Sequence, residues 1–203
     1  MEILKKAFGP FETNCYILKK DSKEWIIDPG MGAMEWVVEM CLNPQAILLT
    51  HGHYDHIFDV SKLKKKFPLV PVYCPEGDVF MLESDCYHKG IVPCSPDVSV
   101  VGNRSIQTFD INGLEIKFHH FPGHTPGCSI IEIEGEIFSG DFIFYRSIGR
   151  YDFPDSNPSD MKQSLEIFYH LDFKPGTRIH PGHGRDTTFE EEKRSIFVWK
   201  ERI

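Results

Sequence analysis

The sequence predicts one mixed domain, α/β or α+β, in which strands and helices are interleaved. Three observations carry that prediction. Short apolar runs of strand length recur along the chain, each closed by Gly, Pro, Asn or Asp. Segments with helical periodicity separate some of them. The 203 residues suffice for one sizeable domain with its own core.

Residues 3–7 read as a first strand and, after a Gly-Pro turn, 15–18 and 25–27 as two more. Asp28-Pro29-Gly30 ends the third sharply. A helix is predicted over 34–42, stopped by Asn43-Pro44. The run Ala46-Ile47-Leu48-Leu49 reads as a buried strand. A helix from about 58 to 67, a short strand over 70–74 and a helical turn at 76–83 follow. Residues 85–104 carry Pro93, Pro96 and Gly102 with little periodicity and are predicted as a long surface loop. The second half opens with strands at 105–110 and 114–120, joined through the hairpin dipeptide Asn112-Gly113. Strands at 130–133 and 136–138 follow across Glu134-Gly135. A helix over 159–170 is predicted to start from a Ser N-cap. The last elements are a short strand over 178–180 and a helix over 190–201, capped by Thr187 or Thr188. The chain thus reads as two similar halves, each opening with strands and closing with helices.

Bulk properties narrow the function. Hydrophobic content of 41% and charged content of 26% are those of an ordinary soluble globular protein. No apolar run is long enough to span a membrane, and the N-terminus lacks the apolar segment of a signal peptide. Six cysteines with no such signal read as free thiols in a reducing compartment, so cytoplasmic residence is expected. A formal charge of −8 argues against a nucleic-acid surface. The cluster Lys62, Lys64, Lys65 and Lys66 reads as a solvated helix face. A small molecule is therefore the expected partner; oligomeric state is left open.

The chemistry is concentrated at strand ends. Thr50-His51-Gly52-His53-Tyr54-Asp55-His56 places four metal-competent side chains directly after the predicted strand 46–49. Loops at the C-terminal ends of strands are where sites are built in open α/β sheets. His51 and His53, two apart, point the same way in extended backbone. Asp55 and His56 follow as the chain turns into the next helix, so the cluster can present two faces, one for each of two metal ions. Further ligand types lie at similar places: His124 in Phe121-Pro-Gly-His-Thr-Pro-Gly127, Asp141 after Ser139-Gly140, and His183 in His180-Pro-Gly-His-Gly184. Imidazole and carboxylate suit zinc, and a catalytic site keeps one position for water. A structural zinc site would normally use paired Cys, but Cys15, Cys41, Cys74, Cys86, Cys94 and Cys128 are scattered.

The run Thr-His-x-His-x-Asp-His, with later Gly-His, Gly-Asp and Gly-His in that order, resembles the metallo-β-lactamase superfamily, and within it the glyoxalase II-like hydrolases. The resemblance runs from about Met1 to the C-terminus. It implies an α+β fold, a four-layer αββα sandwich in a single domain over 1–203, with metals at one edge between the sheets. It also implies the division of ligands. His51, His53 and His124 hold a first divalent metal, Asp55, His56 and His183 a second, and Asp141 bridges them. Zinc is the expected ion, with iron or manganese as alternatives.

Two metals about 3.5–4 Å apart can hold a hydroxide, because binding to zinc lowers the pKa of water to about 7. The expected reaction is attack of that hydroxide on the carbonyl of an anionic thioester, with Asp55 and Asp141 acting catalytically through it. Asp28 and Thr50, at strand ends, are expected to orient imidazoles. Tyr145, Arg146 and Arg150 are the candidate substrate contacts; Arg150 can equally clamp to Asp152. Phe8, Phe11 and Tyr54 are candidate pocket walls. Cys128 reads as a small buried residue. Of His119 and His120, one is expected exposed and one in the core, and His88, His170 and His180 show no ligand pattern. Full-length glyoxalase II carries a C-terminal helical region that helps to bind glutathione. Only 20 residues follow His183, so a short form without that region is expected. A mononuclear iron persulfide dioxygenase, using the residues matching His51, His124 and Asp141, and a lactonase are the rivals within the superfamily. A non-catalytic metal-binding domain is the rival from another class.

Overall fold

A computed structural model describes residues 1–203. Two six-stranded sheets organise it. The first has the order β1 (Glu2–Phe8), β2 (Thr13–Lys20), β3 (Lys23–Ile27), β4 (Pro44–Leu48), β5 (Val72–Pro75) and β6 (Val98–Val100). Its first three strands are antiparallel and the rest join in parallel. The second has the order β14 (Thr187–Thr188), β13 (Arg178–Pro181), β10 (Glu136–Gly140), β9 (Ser129–Ile133), β8 (Glu115–His120) and β7 (Ile106–Asp110). Each sheet is drawn wholly from one half of the chain, as the repeated strand-then-helix pattern predicts.

The alternation of side chains along each strand fixes the layers. From the first sheet, Tyr16, Leu18, Trp25, Ile27 and Leu48 turn inward to meet Ile116, Phe118, Ile131, Ile133 and Phe138 of the second. Their neighbours turn outward. Cys15, Ile17, Ile26 and Ile47 pack under Val37 of α1 (Met34–Met40), and under Val60 and Leu63 of α3 (Val60–Lys66). Ile130, Ile137 and Ile179 pack under Met161, Leu165 and Phe168 of α5 (Pro158–Tyr169) and Ile196 of α6 (Phe189–Lys200). Helices outside and two sheets inside make the expected four-layer αββα sandwich, in a single domain.

Several local readings need correction. Residues 85–104 are not all loop: β6 adds an edge strand to the first sheet, its ladder donated by the neighbouring Pro75 strand end rather than announced by its own short sequence. The predicted helix 58–67 is preceded by a separate turn, α2 (Tyr54–Ile57), with His53 as its N-cap. Helix α5 starts from Asn157, whose side chain accepts from the Asp160 N–H, with Pro158 in the first turn; Ser159 is inside the helix. A small hairpin, β11 (Ile143–Phe144) and β12 (Ser147–Ile148), follows Asp141. Thr188 is the cap of α6. No helix is long and apolar enough to cross a membrane.

Candidate metal centre

The seven predicted ligands converge at one edge of the sandwich. β4 ends at Leu48 and the chain leaves the sheet through Thr50, His51 and Gly52 into α2, which carries Asp55 and His56. His124 enters from the β8–β9 loop, Asp141 from the end of β10 and His183 from beyond β13. One group from the first sheet thus meets three from the second.

The side chains sort into two triads. Ring nitrogens of His51, His53 and His124 lie within 4.8 Å of one another, and so do the ligand atoms of Asp55, His56 and His183. His53 Nδ1 is 2.8 Å from His124 Nε2. Asp141 stands between the groups: Oδ2 is 3.5 Å from His124 Nε2 and 3.3 Å from His183 Nε2, and Oδ1 is 3.2 Å from His56 Nε2. A third set, Asp28 with His51 and His56, is also close. Its carboxylate is already committed: Asp28 accepts from the Thr50 N–H at 2.8 Å and the Thr50 hydroxyl at 2.5 Å, and pairs with His56 Nδ1 at 2.9 Å. It therefore orients His56, turning Nε2 toward Asp141, as Asp28's strand-end position suggests. Thr50 does the same for His51, its hydroxyl lying 3.1 Å from Nδ1.

The other rings are held similarly by groups that sequence reading missed. Nδ1 of His124 faces the Arg150 carbonyl at 2.7 Å and Nδ1 of His183 the Phe11 carbonyl at 2.9 Å. Carbonyls accept only, so both rings carry a proton on Nδ1 and aim Nε2 inward. The Thr13 hydroxyl donates to Asp55 Oδ2 at 2.8 Å. Two glycines make room: a Cβ on Gly149 would lie 1.7 Å from the Asp141 carbonyl oxygen, and one on Gly182 would lie 2.2 Å from Asp141 Oδ1.

These residues fit a pair of divalent cations. His51 Nε2 and Asp141 Oδ1 are buried without a hydrogen-bond partner, a costly condition that a cation would relieve. An imidazole and carboxylate donor set suits zinc, iron or manganese. Protonation follows the same division. Burial, reinforced by neighbouring imidazoles, pushes His51 and His124 below the ordinary histidine range and His53 down to about 3, so the first triad is neutral and ready to ligate. In the second, burial opposes charge but the Asp141 and Asp55 carboxylates win, holding His56 well up and His183 up to about 9. Those two imidazoliums in turn outweigh burial at Asp55, held down to about 2, and at Asp141, held well below the usual carboxylate range. Protons on the second triad occupy positions that a cation displaces on binding.

A cleft of about 740 Å³ opens onto the cluster. Phe11 and Tyr54 wall it as predicted, with Phe144, Ile148 and Phe153. Phe8 instead packs on Trp36 in the first sheet's outer core. Arg150 reaches the cleft but is clamped to Asp152 through two bonds of 2.8 Å. Tyr145 and Arg146 are not brought to it. They form the turn of the β11–β12 hairpin, where Tyr145 stacks under Arg185 at 3.5 Å and the Arg146 N–H donates to Glu192. The cleft cation without a carboxylate partner is Lys89, on a turn closed by Asp85, which accepts from the Lys89 and Gly90 N–H groups. His119 is buried against Glu132, and His120 is half-buried against Pro126. His180, given no role from sequence, is buried between Glu136 and Asp186. Cys128 is buried as expected.

Comparison with known proteins places this geometry. Residues 8–183 match the family model "Metallo-beta-lactamase superfamily". The chain belongs to that superfamily. That membership and the curated relatives support a metal-dependent hydrolase. Among curated proteins it is 33% identical over 199 residues to "Hydroxyacylglutathione hydrolase GloC" of Haemophilus influenzae, covering 91% of this chain and 92% of that one. Among solved structures it is similar to the BLEG-1 B3 metallo-beta-lactamase, with a TM-score of 0.83 and 30% identity over 95% of this chain and 97% of that one. It is also similar to TTHA1623, crystallised in a di-iron-bound form, with a TM-score of 0.77 and 30% identity over 95% and 98%.

Proposed function

We propose that this superfamily hydrolase is a dinuclear thioesterase that cleaves an anionic thioester. The observation that carries the reading is Asp141: one carboxylate shared between the His124 side and the His56–His183 side, while His51 Nε2 is buried with no hydrogen-bond partner. His51, His53 and His124 would hold one cation and Asp55, His56 and His183 the other, with Asp141 available to both. When bound, the two ions acidify a water and polarise a carbonyl oxygen, chemistry that needs no Ser or Cys nucleophile. Zinc is the first expectation; the di-iron form of a relative supports iron as a working alternative.

The chain's own groups do the rest. Asp28, Thr50, Thr13 and the Phe11 and Arg150 carbonyls fix ligand orientation, so the site is preorganised before substrate arrives. Asp55 and Asp141 face the cleft and orient the attacking water by accepting from it. Phe11, Phe144 and Phe153 exclude bulk water around the acyl and thiol portions. Lys89, whose ammonium lies 5.6 Å from the centre of the Tyr54 ring and has no carboxylate partner, supplies a positive charge for an anionic end of the substrate, a role it suits better than the clamped Arg150. The relative named hydroxyacylglutathione hydrolase supports a thioester. The accessibility of Asp55, Asp141 and His183 from the cleft favours catalysis over a closed, non-catalytic metal site.

The test is elemental analysis of the purified protein beside a thioester hydrolysis screen. Near two metals per chain, with hydrolysis lost on chelation and restored by metal, is expected. One iron per chain with oxygen consumption on glutathione persulfide would replace the thioesterase by the dioxygenase and leave the fold intact.

A further inference from the structure

Asp78 lies outside the seven-residue cluster and has none of the roles above. It is fully buried, between the 3-10 turn Glu76–Asp78 and α4 (Val79–Glu83). Its carboxylate accepts three hydrogen bonds from two different loops. Oδ2 takes the Gly52 N–H at 2.8 Å and the Thr125 hydroxyl at 2.6 Å, and Oδ1 takes the Gly127 N–H at 2.6 Å. Gly52 sits between His51 and His53, and Thr125 follows His124. The three segments are pressed together around this one side chain. A Cβ on Gly52 would lie 2.8 Å from Asp78 Cβ, one on Gly127 2.8 Å from Asp78 Cγ, and one on Gly77 2.7 Å from the Gly127 nitrogen.

Burying a carboxylate is unfavourable unless its oxygens are satisfied, and an apolar residue would fill the same space without that cost. Here the partners are donors on the loops that carry the first triad. We propose that Asp78 is the positioning residue of that triad, clamping the His51–His53 loop to the His124 loop and so setting the separation of their ring nitrogens. The inference rests on the reading of the triads as metal sites. The second triad is held by other groups: His56 by Asp28, His183 by the Phe11 carbonyl and Asp55 by Thr13.

The test is cobalt(II) titration of metal-free protein in two backgrounds. His183→Ala weakens the second triad and leaves the first to be read; His53→Ala does the reverse. Asp78→Asn keeps the shape but turns an amide N–H2 against one of three donors. It is expected to weaken cobalt binding 10- to 100-fold in the His183→Ala background, in the range typical of groups that orient metal ligands, and by less than about twofold in the His53→Ala background. Equal losses in both backgrounds, or no loss in either, overturn the proposal. Should circular dichroism show Asp78→Asn unfolded, Thr125→Val removes a single donor, and a loss of about threefold or more confined to the His183→Ala background is expected. Absence of cobalt binding by the wild-type protein overturns the metal-centre reading and this inference together. Two cobalt ions bound with no selective loss overturns this inference alone.

Discussion

A single methyl group at Gly182 tests whether the cluster is a working metal centre. Gly182 joins β13 to His183, and both sides of its backbone are tied down: its N–H donates to the Gly140 carbonyl at 2.8 Å and its carbonyl accepts from the Asn14 N–H at 2.7 Å. Its φ is not in the left-handed region, so alanine brings no strain of its own there. The cost is steric. A Cβ would stand 2.2 Å from Asp141 Oδ1 and 2.6 Å from His56 Cε1, where a carbon–oxygen contact needs about 3.3 Å. Something must move by about 1 Å, and with the backbone fixed it is the Asp141 carboxylate and the His56 ring. Metal–ligand distances tolerate about 0.2 Å, and a misplacement of about 1 Å can cost about 100-fold in rate. Overpacking of this kind destabilises by about 1–3 kcal/mol, or roughly 2–12 °C in melting temperature at this chain length. Gly182→Ala is therefore expected to lose metal in elemental analysis and to hydrolyse thioesters about 100-fold more slowly. Gly176→Ala, where a Cβ meets nothing within 4 Å, is the control expected to match wild type. A Gly182→Ala protein that keeps two metals and runs within about threefold of wild type would refute the bridging role of Asp141.

Three further outcomes follow from individual contacts. Asp28→Asn keeps a side chain that tolerates the positive φ of 49° but cannot accept all three of its hydrogen bonds; cobalt affinity at the second triad is expected to fall about 10- to 100-fold, read by titration in the His53→Ala background. Burial pushes the Asp78 carboxyl up to about 6 despite its three donors, so between about pH 4 and 6 the folded protein binds a proton that the unfolded chain releases. Stability from this group therefore declines as pH rises through that window, by about 3 kcal/mol in all. The urea stability of metal-free wild type relative to Asp78→Asn should fall accordingly, and parallel curves would contradict it. Lys89→Met should raise KM for an anionic thioester about fivefold with kcat unchanged, the effect of one solvent-exposed charge pair, and leave a neutral thioester unaffected.

The ligands were legible because the signal for them is local. His51 to His56 announce themselves within six residues, and His124, Asp141 and His183 each sit in a glycine-marked strand end. Asp28 and Thr50 could be read as supports for the same reason: both end strands on the first sheet, and adjacent parallel strands end side by side. The layers came from the resemblance, because periodicity gave only a mixed α/β or α+β domain: a strand such as 15–18 is apolar on both faces, with Cys15 and Ile17 in one core and Tyr16 and Leu18 in another. Weak elements were not. β6 is three residues long and exists because β5 offers it a ladder, and the β11–β12 hairpin has only two residue pairs. The misplacement of Tyr145 and Arg146 follows from that missed hairpin, since its turn faces Arg185 and Glu192.

What the sequence hid is the support that crosses between segments. Thr13 reaches Asp55 across 42 residues, and Asp78 reaches Gly127 across 49. Neither partner carries a mark of the other, and a hydrogen bond between distant loops leaves no period to detect. Asp78 did leave one trace: it is an acid set directly before the apolar run Val79-Phe80-Met81-Leu82 and beside Gly77, a context in which a carboxylate becomes buried and must find donors. A site of this kind therefore divides by physics into two sets. Residues that touch the metal are chosen for their own chemistry and can be found one at a time. Residues that hold the ligand loops at the right separation are chosen for what stands opposite them. Only the fold, by closing one sheet over the other, brings those partners within hydrogen-bonding reach.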